Sequence, residues 1–105
     1  MKNSQAKEYK NFKSFYPFYL SQHQDITCRR LHFIGSSLII LMLTYMLIST
    51  QWVLLWTLPL FGYGFAWVGH FFFEKNKPAT FTYPWYSFLG DWVMYKDILT
   101  GKLKL

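Results

Sequence analysis

The residues best suited to chemistry are three histidines and one glutamate. His32 precedes and His70 nearly ends a long apolar stretch, and each lies 19 residues from Gln51. If the chain folds back at Gln51, both imidazoles return to one depth. His23 lies nine residues before His32, in a segment that can fold over that mouth. Glu74 follows His70 by four residues and shares its face while the helix persists. Three imidazoles and a carboxylate at one place suit a first-row metal such as iron, zinc or manganese. Each residue also has a plainer reading. An interfacial histidine is a tolerated amphipathic residue, and Glu74 can pair with Lys75 or Lys77. Ionisable groups gathered near membrane depth mark function, so we read the group as a metal site, with Glu74 as a candidate additional ligand.

The elements that must position these residues are helical and apolar. From Leu31 to Phe73 there is no Asp, Glu, Lys or Arg, although the 105-residue chain carries 11 basic and 5 acidic residues. Such a stretch cannot be left in water, which excludes a soluble nucleic-acid binder. The formal charge of +6 then fits the anionic face of a membrane. One cysteine, Cys28, permits no intrachain disulfide and has no evident partner. The late, long apolar run does not read as a cleavable leader.

The predicted fold is all-α, a single membrane domain over residues 1–105. It is an integral membrane helical hairpin with flanking interfacial amphipathic helices. The spans are about 33–50 and 52–73. A helix of eighteen residues covers ~27 Å, enough for the hydrocarbon core. Gly62 and Ala66 have the spacing that lets two helices approach closely. Interfacial segments occupy about 6–22 and 84–100. The first is crowded with Phe12, Phe15, Tyr16, Phe18 and Tyr19, and Pro17 should bend or restart it. Asp25 or Thr27 can cap the helix that follows. Pro84 can start the last helix and Gly101 stop it. There Trp85, Phe88, Leu89, Trp92, Val93 and Leu99 form a broad apolar face, with Asp91 and Asp97 as solvated residues. Charges flank one hairpin and its turn carries none. Both termini are therefore expected in the cytoplasm, with a multi-pass chain in the cell's inner membrane.

Two segments carry a family resemblance: FYPFYLSQHQDITCRRLHFIGSSL and PLFGYGFAWVGHFFFEKNKPATFTYPWYSFLGDWVMYKDILTGKL. Together they resemble the yeast-type 2-hydroxy-fatty-acid dioxygenases, most specifically through RRLHFIG and GYGFAWVGHFFFEKNKPATF. Ile26 stands where the family pattern places a proline. The resemblance implies an iron(II) (Fe2+) dioxygenase in a membrane. Its implied reaction shortens a long-chain 2-hydroxy fatty acid by one carbon with O2, in fatty-acid α-oxidation. It also implies that His23, His32 and His70 hold the iron. Arg29 or Arg30 could then neutralise the substrate carboxylate, or serve only as positive-inside anchors. A homodimer would help shield a site built from so short a chain.

Two other classes remain open from the residues alone. Histidines at equal depth on antiparallel helices could be axial ligands of a haem in an electron carrier. Alternatively, the chain could be a non-enzymatic membrane module that binds lipid or a partner helix.

Overall fold

A computed structural model describes residues 9–105. Residues 6–8 of the expected first interfacial segment lie outside the described residues. The described residues form helices and turns without a strand. Helix α1 is Phe12–Ser21, α2 is Ile26–Ser49, α3 is Thr57–Val68 and α4 is Pro84–Leu99. A 3-10 turn, Trp52–Trp56, leads into α3, and a π-helical segment, Gly69–Glu74, continues it.

The second and third helices make the hairpin. Asp25 caps α2 by accepting the backbone N–H of Cys28 at 3.0 Å. Ile26 is the first residue of that helix. Its N–H has no partner within the helix, so the site suits proline and isoleucine equally. The helix ends at Thr50, whose left-handed φ of 55° turns the chain back. Pro59 falls in the first turn of α3, where its missing N–H costs no helical bond.

The stretches Ile26–Ser49 and Trp52–Glu74 are each long and apolar enough to cross a membrane. Their large apolar side chains point outward: Ile48 is 80% exposed and Trp56 82%. An apolar surface of that kind needs lipid or another chain around it.

The hairpin's close approach is not made where the Gly62–Ala66 spacing suggests. A Cβ on Gly62 would meet only the tip of Ile39, at 3.1 Å. The tight crossing is at Gly35 of α2, where a Cβ would lie 2.8 Å from the backbone oxygen of Phe61. Nearer the site, a Cβ on Gly69 would lie 3.1 Å from the Cα of Cys28. Backbone atoms cannot swing aside as a side-chain tip can, so these two glycines set the distance between the arms.

Helices α1 and α4 pack across the end of the hairpin that holds both its charged flanks. Phe15 and Tyr19 are buried, with Ala79 and Met94, in an aromatic core that also takes in Phe12, Tyr83 and Tyr86. Ring pairs such as Phe15–Tyr86, at 5.3 Å, interlock the two helices. This packing explains why Pro17 does not break α1, which runs unbroken through it. The penalty of about 3 kcal/mol for an interior proline is outweighed by burying the residues on either side.

The last helix also differs from expectation. Its buried face is Ser87, Gly90, Met94 and Asp97, while Trp85, Phe88, Leu89 and Leu99 are exposed. Met94 apart, the side of α4 that faces the protein is thus small and polar, while Trp85, Leu89 and Leu99 are left for lipid. Asp91 and Asp97 are not solvated: each accepts a hydrogen bond from a tyrosine of α1, Tyr19 and Tyr16 respectively. On the α2 side, Tyr95 stacks on Phe33 at 4.8 Å and shares a hydrogen bond with Ser37.

Replacing Gly35 by valine should force the hairpin apart. Overpacking of this kind costs about 1–3 kcal/mol. Thermal unfolding in detergent should show a lower midpoint for Gly35→Val, whereas Gly64→Ala, which meets nothing within 4 Å, should unfold like the wild type.

Candidate metal centre

The three histidines arrive from three different elements. His23 follows α1, His32 lies nearly two turns inside α2, and His70 sits in the π-helical segment after α3. A π turn is wider than an α turn and re-aims the side chains it carries. All three imidazoles are buried, at 1%, 7% and 2% exposure. Their ring centroids lie 4.5, 4.5 and 4.9 Å apart, with the planes near perpendicular.

The hydrogen bonds around the rings decide which nitrogen is free. His23 Nδ1 lies 2.7 Å from the carbonyl oxygen of Tyr19, and His32 Nδ1 lies 2.8 Å from that of Cys28. A carbonyl only accepts, so both Nδ1 atoms carry the proton. His70 Nδ1 lies 2.7 Å from Asn76 Oδ1. The Asn76 amide is oriented independently, because its Nδ2 donates to the backbone and side-chain oxygens of Gln22 at 3.1 and 3.2 Å. Oδ1 must therefore be the atom facing His70, and His70 Nδ1 is the donor. In all three neutral rings Nε2 is left as a lone pair.

The ring nitrogens gather at one place. One ligand atom from each ring lies within 4.8 Å of the others, and His23 Nε2 is 3.1 Å from His32 Nε2. Two lone pairs that close repel, and no proton lies between them in these tautomers. A cation relieves the repulsion. With metal–nitrogen bonds of about 2.1 Å, two cis ligands stand roughly 3.0–3.4 Å apart, which matches the 3.1 Å between His23 and His32. The donor set therefore fits a first-row metal ion. Burial holds His23 well below the usual histidine range, helped by the neighbouring His32 and His70. Neutral imidazole is the form that binds metal.

The other sequence candidates stand elsewhere. Glu74 is outside the histidine group; its Oε1 accepts the backbone N–H of Asp25 at 2.7 Å and so ties the hairpin's two ends together. Arg29 donates to the carbonyl oxygens of His23 and Lys104, and Arg30 to that of Leu105. Cys28 is buried, with its Sγ 3.8 Å from His32 Nδ1.

The histidines open into a cavity of about 400 Å³ between α2, α3 and α4. Ile39, Leu43, Leu58, Pro59, Gly62 and Ala66 line its apolar arm, and neither Arg29 nor Arg30 reaches it. The helix rise places Leu43 ~16 Å beyond His32.

The sequence reading missed Asn76, Tyr19, Ser87 and Asp91. Asn76 had one available signal: it is an amide in a short loop rich in turn formers. Lys75 before it is left-handed, with φ of 63°. That turn brings the Asn76 N–H onto the carbonyl of His70 at 3.0 Å and its side chain onto the ring. Asp91 gave no signal, since an aspartate on an amphipathic helix is ordinarily solvated. Burial here raises its carboxyl to about 6, opposed by the Tyr19 hydrogen bond.

The Asn76 contact makes a prediction. Partners that orient a metal-binding histidine are worth about 10–100-fold in metal affinity. Asn76→Ala should weaken metal binding by that factor in a competition titration. Asn76→Asp, which keeps an acceptor for Nδ1–H, should restore most of it.

Residues 9–103 match the family described as 2-hydroxy-palmitic acid dioxygenase Mpo1-like. No curated protein and no solved structure matches the chain. The match covers both hairpin arms, all three histidines and the α4 face that closes the cavity. The chain belongs to the Mpo1-like family of 2-hydroxy-palmitic acid dioxygenases.

Proposed function

We propose that this protein is an iron(II)-dependent membrane dioxygenase that shortens a long-chain 2-hydroxy fatty acid by one carbon. The observation that carries the reading is three buried imidazoles whose ligand nitrogens gather at the head of an apolar cavity. Iron(II) held by three side chains keeps positions open for oxygen and for substrate oxygens.

The overall change balances. A 2-hydroxy acid and O2 give the acid one carbon shorter, carbon dioxide and water, and carbons 1 and 2 supply the electrons that reduce oxygen. The chain's own residues do the rest. Tyr19, Cys28 and Asn76 hold the three ring protons away from the centre. The arm lined by Ile39, Leu43 and Leu58 takes the acyl tail, at about 0.8 kcal/mol for each methylene buried. A tail drawn from the bilayer need never cross water.

The haem alternative names His32 and His70, whose ring centroids lie 4.9 Å apart with His23 packed at 4.5 Å against both. Three imidazoles grouped in this way favour a non-haem site. Arg29 and Arg30 fit the role of positive-inside anchors, since their guanidinium groups cover carbonyls outside the cavity. The same rule supports both ends on the cytoplasmic side of the inner membrane.

Purified protein given iron(II), air and a long-chain 2-hydroxy acid should yield the acid one carbon shorter. The product should vanish under nitrogen or with a chelator. Each of His23→Ala, His32→Ala and His70→Ala should lower bound iron sharply while the protein still inserts. Iron-loaded protein that leaves a panel of chain lengths unchanged would remove this reading.

Topology has its own check. Single cysteines at Lys10 and Lys102, in a Cys28→Ser background, should react with an impermeant reagent only from the cytoplasmic side. Labelling from outside would reject the orientation.

A further inference from the structure

The cavity has a polar wall that the histidines do not account for. Ser87 and Asp91 lie four residues apart on α4, hence on one face, and both line the cavity beside Tyr19. Ser87 is 1% exposed, yet its Oγ has no hydrogen-bond partner among the described residues. Among the described residues Asp91 accepts one hydrogen bond, from the Tyr19 hydroxyl. A carboxylate offers about four lone-pair sites, so most of its accepting capacity is unused. A buried hydroxyl without a partner and a half-buried carboxylate with one neutral donor are both costly. Groups of this kind are completed by a ligand where function requires it.

We propose that Ser87, Asp91 and Tyr19 form the head-group site, with Asp91 accepting the hydrogen bond of the substrate's 2-hydroxyl. The proposal rests on the dioxygenase reading above. An ionised carboxylate can only accept, so its counterpart must be a donor. A 2-hydroxyl qualifies; a 2-oxo group or an unsubstituted carbon 2 does not. Ser87 supplies a rotatable O–H suited to the acid's own carboxylate.

Charge supports the assignment. Three neutral imidazoles leave a divalent ion's two positive charges uncompensated. Asp91 and the substrate carboxylate bring one negative charge each, which neutralises the site where low dielectric makes imbalance expensive. Tyr19 joins the two halves. Its hydroxyl holds Asp91, its carbonyl holds His23 Nδ1, and its ring stacks on His23 at 4.1 Å. Asp91 is therefore the residue that reads the 2-hydroxyl.

Equilibrium binding to iron-loaded, detergent-purified protein under nitrogen tests this without turnover. The probes are 2-hydroxypalmitate, 2-oxopalmitate and palmitate. Wild type should bind the 2-hydroxy acid about 10–100-fold more tightly than the 2-oxo acid, the worth of a hydrogen bond to a charged group. Asp91→Asn places an amide donor there and should bring that ratio close to one, with iron content and palmitate binding retained. Ser87→Ala should weaken all three acids and leave the ratio intact. If Asp91→Asn fails to hold iron, Asp91→Leu, of similar size, removes the acceptor and should equalise the 2-hydroxy acid and palmitate. An unchanged ratio in the folded Asp91 variant would overturn the proposal and leave the dioxygenase reading standing. Wild type that binds the three acids alike and converts none would overturn both.

Discussion

Three neutral imidazoles must present their unprotonated nitrogens to one point, and the rest of the structure follows from that requirement. Left alone, such nitrogens would repel or rotate to share a proton. Here each ring is held by its other nitrogen on a fixed acceptor: the Tyr19 carbonyl, the Cys28 carbonyl and the Asn76 amide oxygen. Two of those acceptors are helical carbonyls, four residues before the histidines they serve. Helix geometry thus supplies the orientation of His23 and His32 without further side chains. His70 has no such carbonyl, and Asn76, itself oriented by Gln22, takes that part.

The fold can be understood as the means of bringing those acceptors together in lipid. Satisfying backbone groups internally makes helices the available spanning element. Gly35 and Gly69 let the two arms close until backbone meets backbone. An aromatic core from α1 and α4 then seals the end where the histidines meet. The same helices bring the buried tyrosine–carboxylate pairs, Tyr16 with Asp97 and Tyr19 with Asp91. Burial holds both tyrosines above their ordinary range, so they remain protonated donors to their carboxylates. Polar groups are thus confined to the covered end, while the outer surface of the hairpin is left to bilayer contact.

The position of the cavity suits a molecule with a small polar head and a long tail. Its polar end holds the histidines, Tyr19, Ser87 and Asp91; its apolar end runs between α2 and α3 towards Leu43 and Leu58. A water-soluble metabolite would leave that arm unfilled. The inward polar face of α4, which an amphipathic reading turns towards solvent, is what makes the head of the cavity polar.

The amino-acid sequence by itself determined the helical hairpin, because a stretch without charges from Leu31 to Phe73 with a polar break near Gln51 has few other stable solutions in lipid. It also determined that His32 and His70 would meet, since equal distances along two antiparallel helices of equal rise end at equal depth. Tertiary structure alone decided the rest. The sequence shows that Glu74 follows His70 by one turn, but the π-helical segment changes the angle between them, and Glu74 turns to the Asp25 backbone instead. It shows two arginines before His32, but their long side chains reach the carbonyls of Lys104 and Leu105 and not the cavity. Which face of α4 is covered was likewise hidden. Lipid accepts the large apolar side chains that water would drive inward, so Ser87 and Asp91 can occupy the inner face. Periodicity locates an apolar face, but only packing tells whether that face meets protein or bilayer.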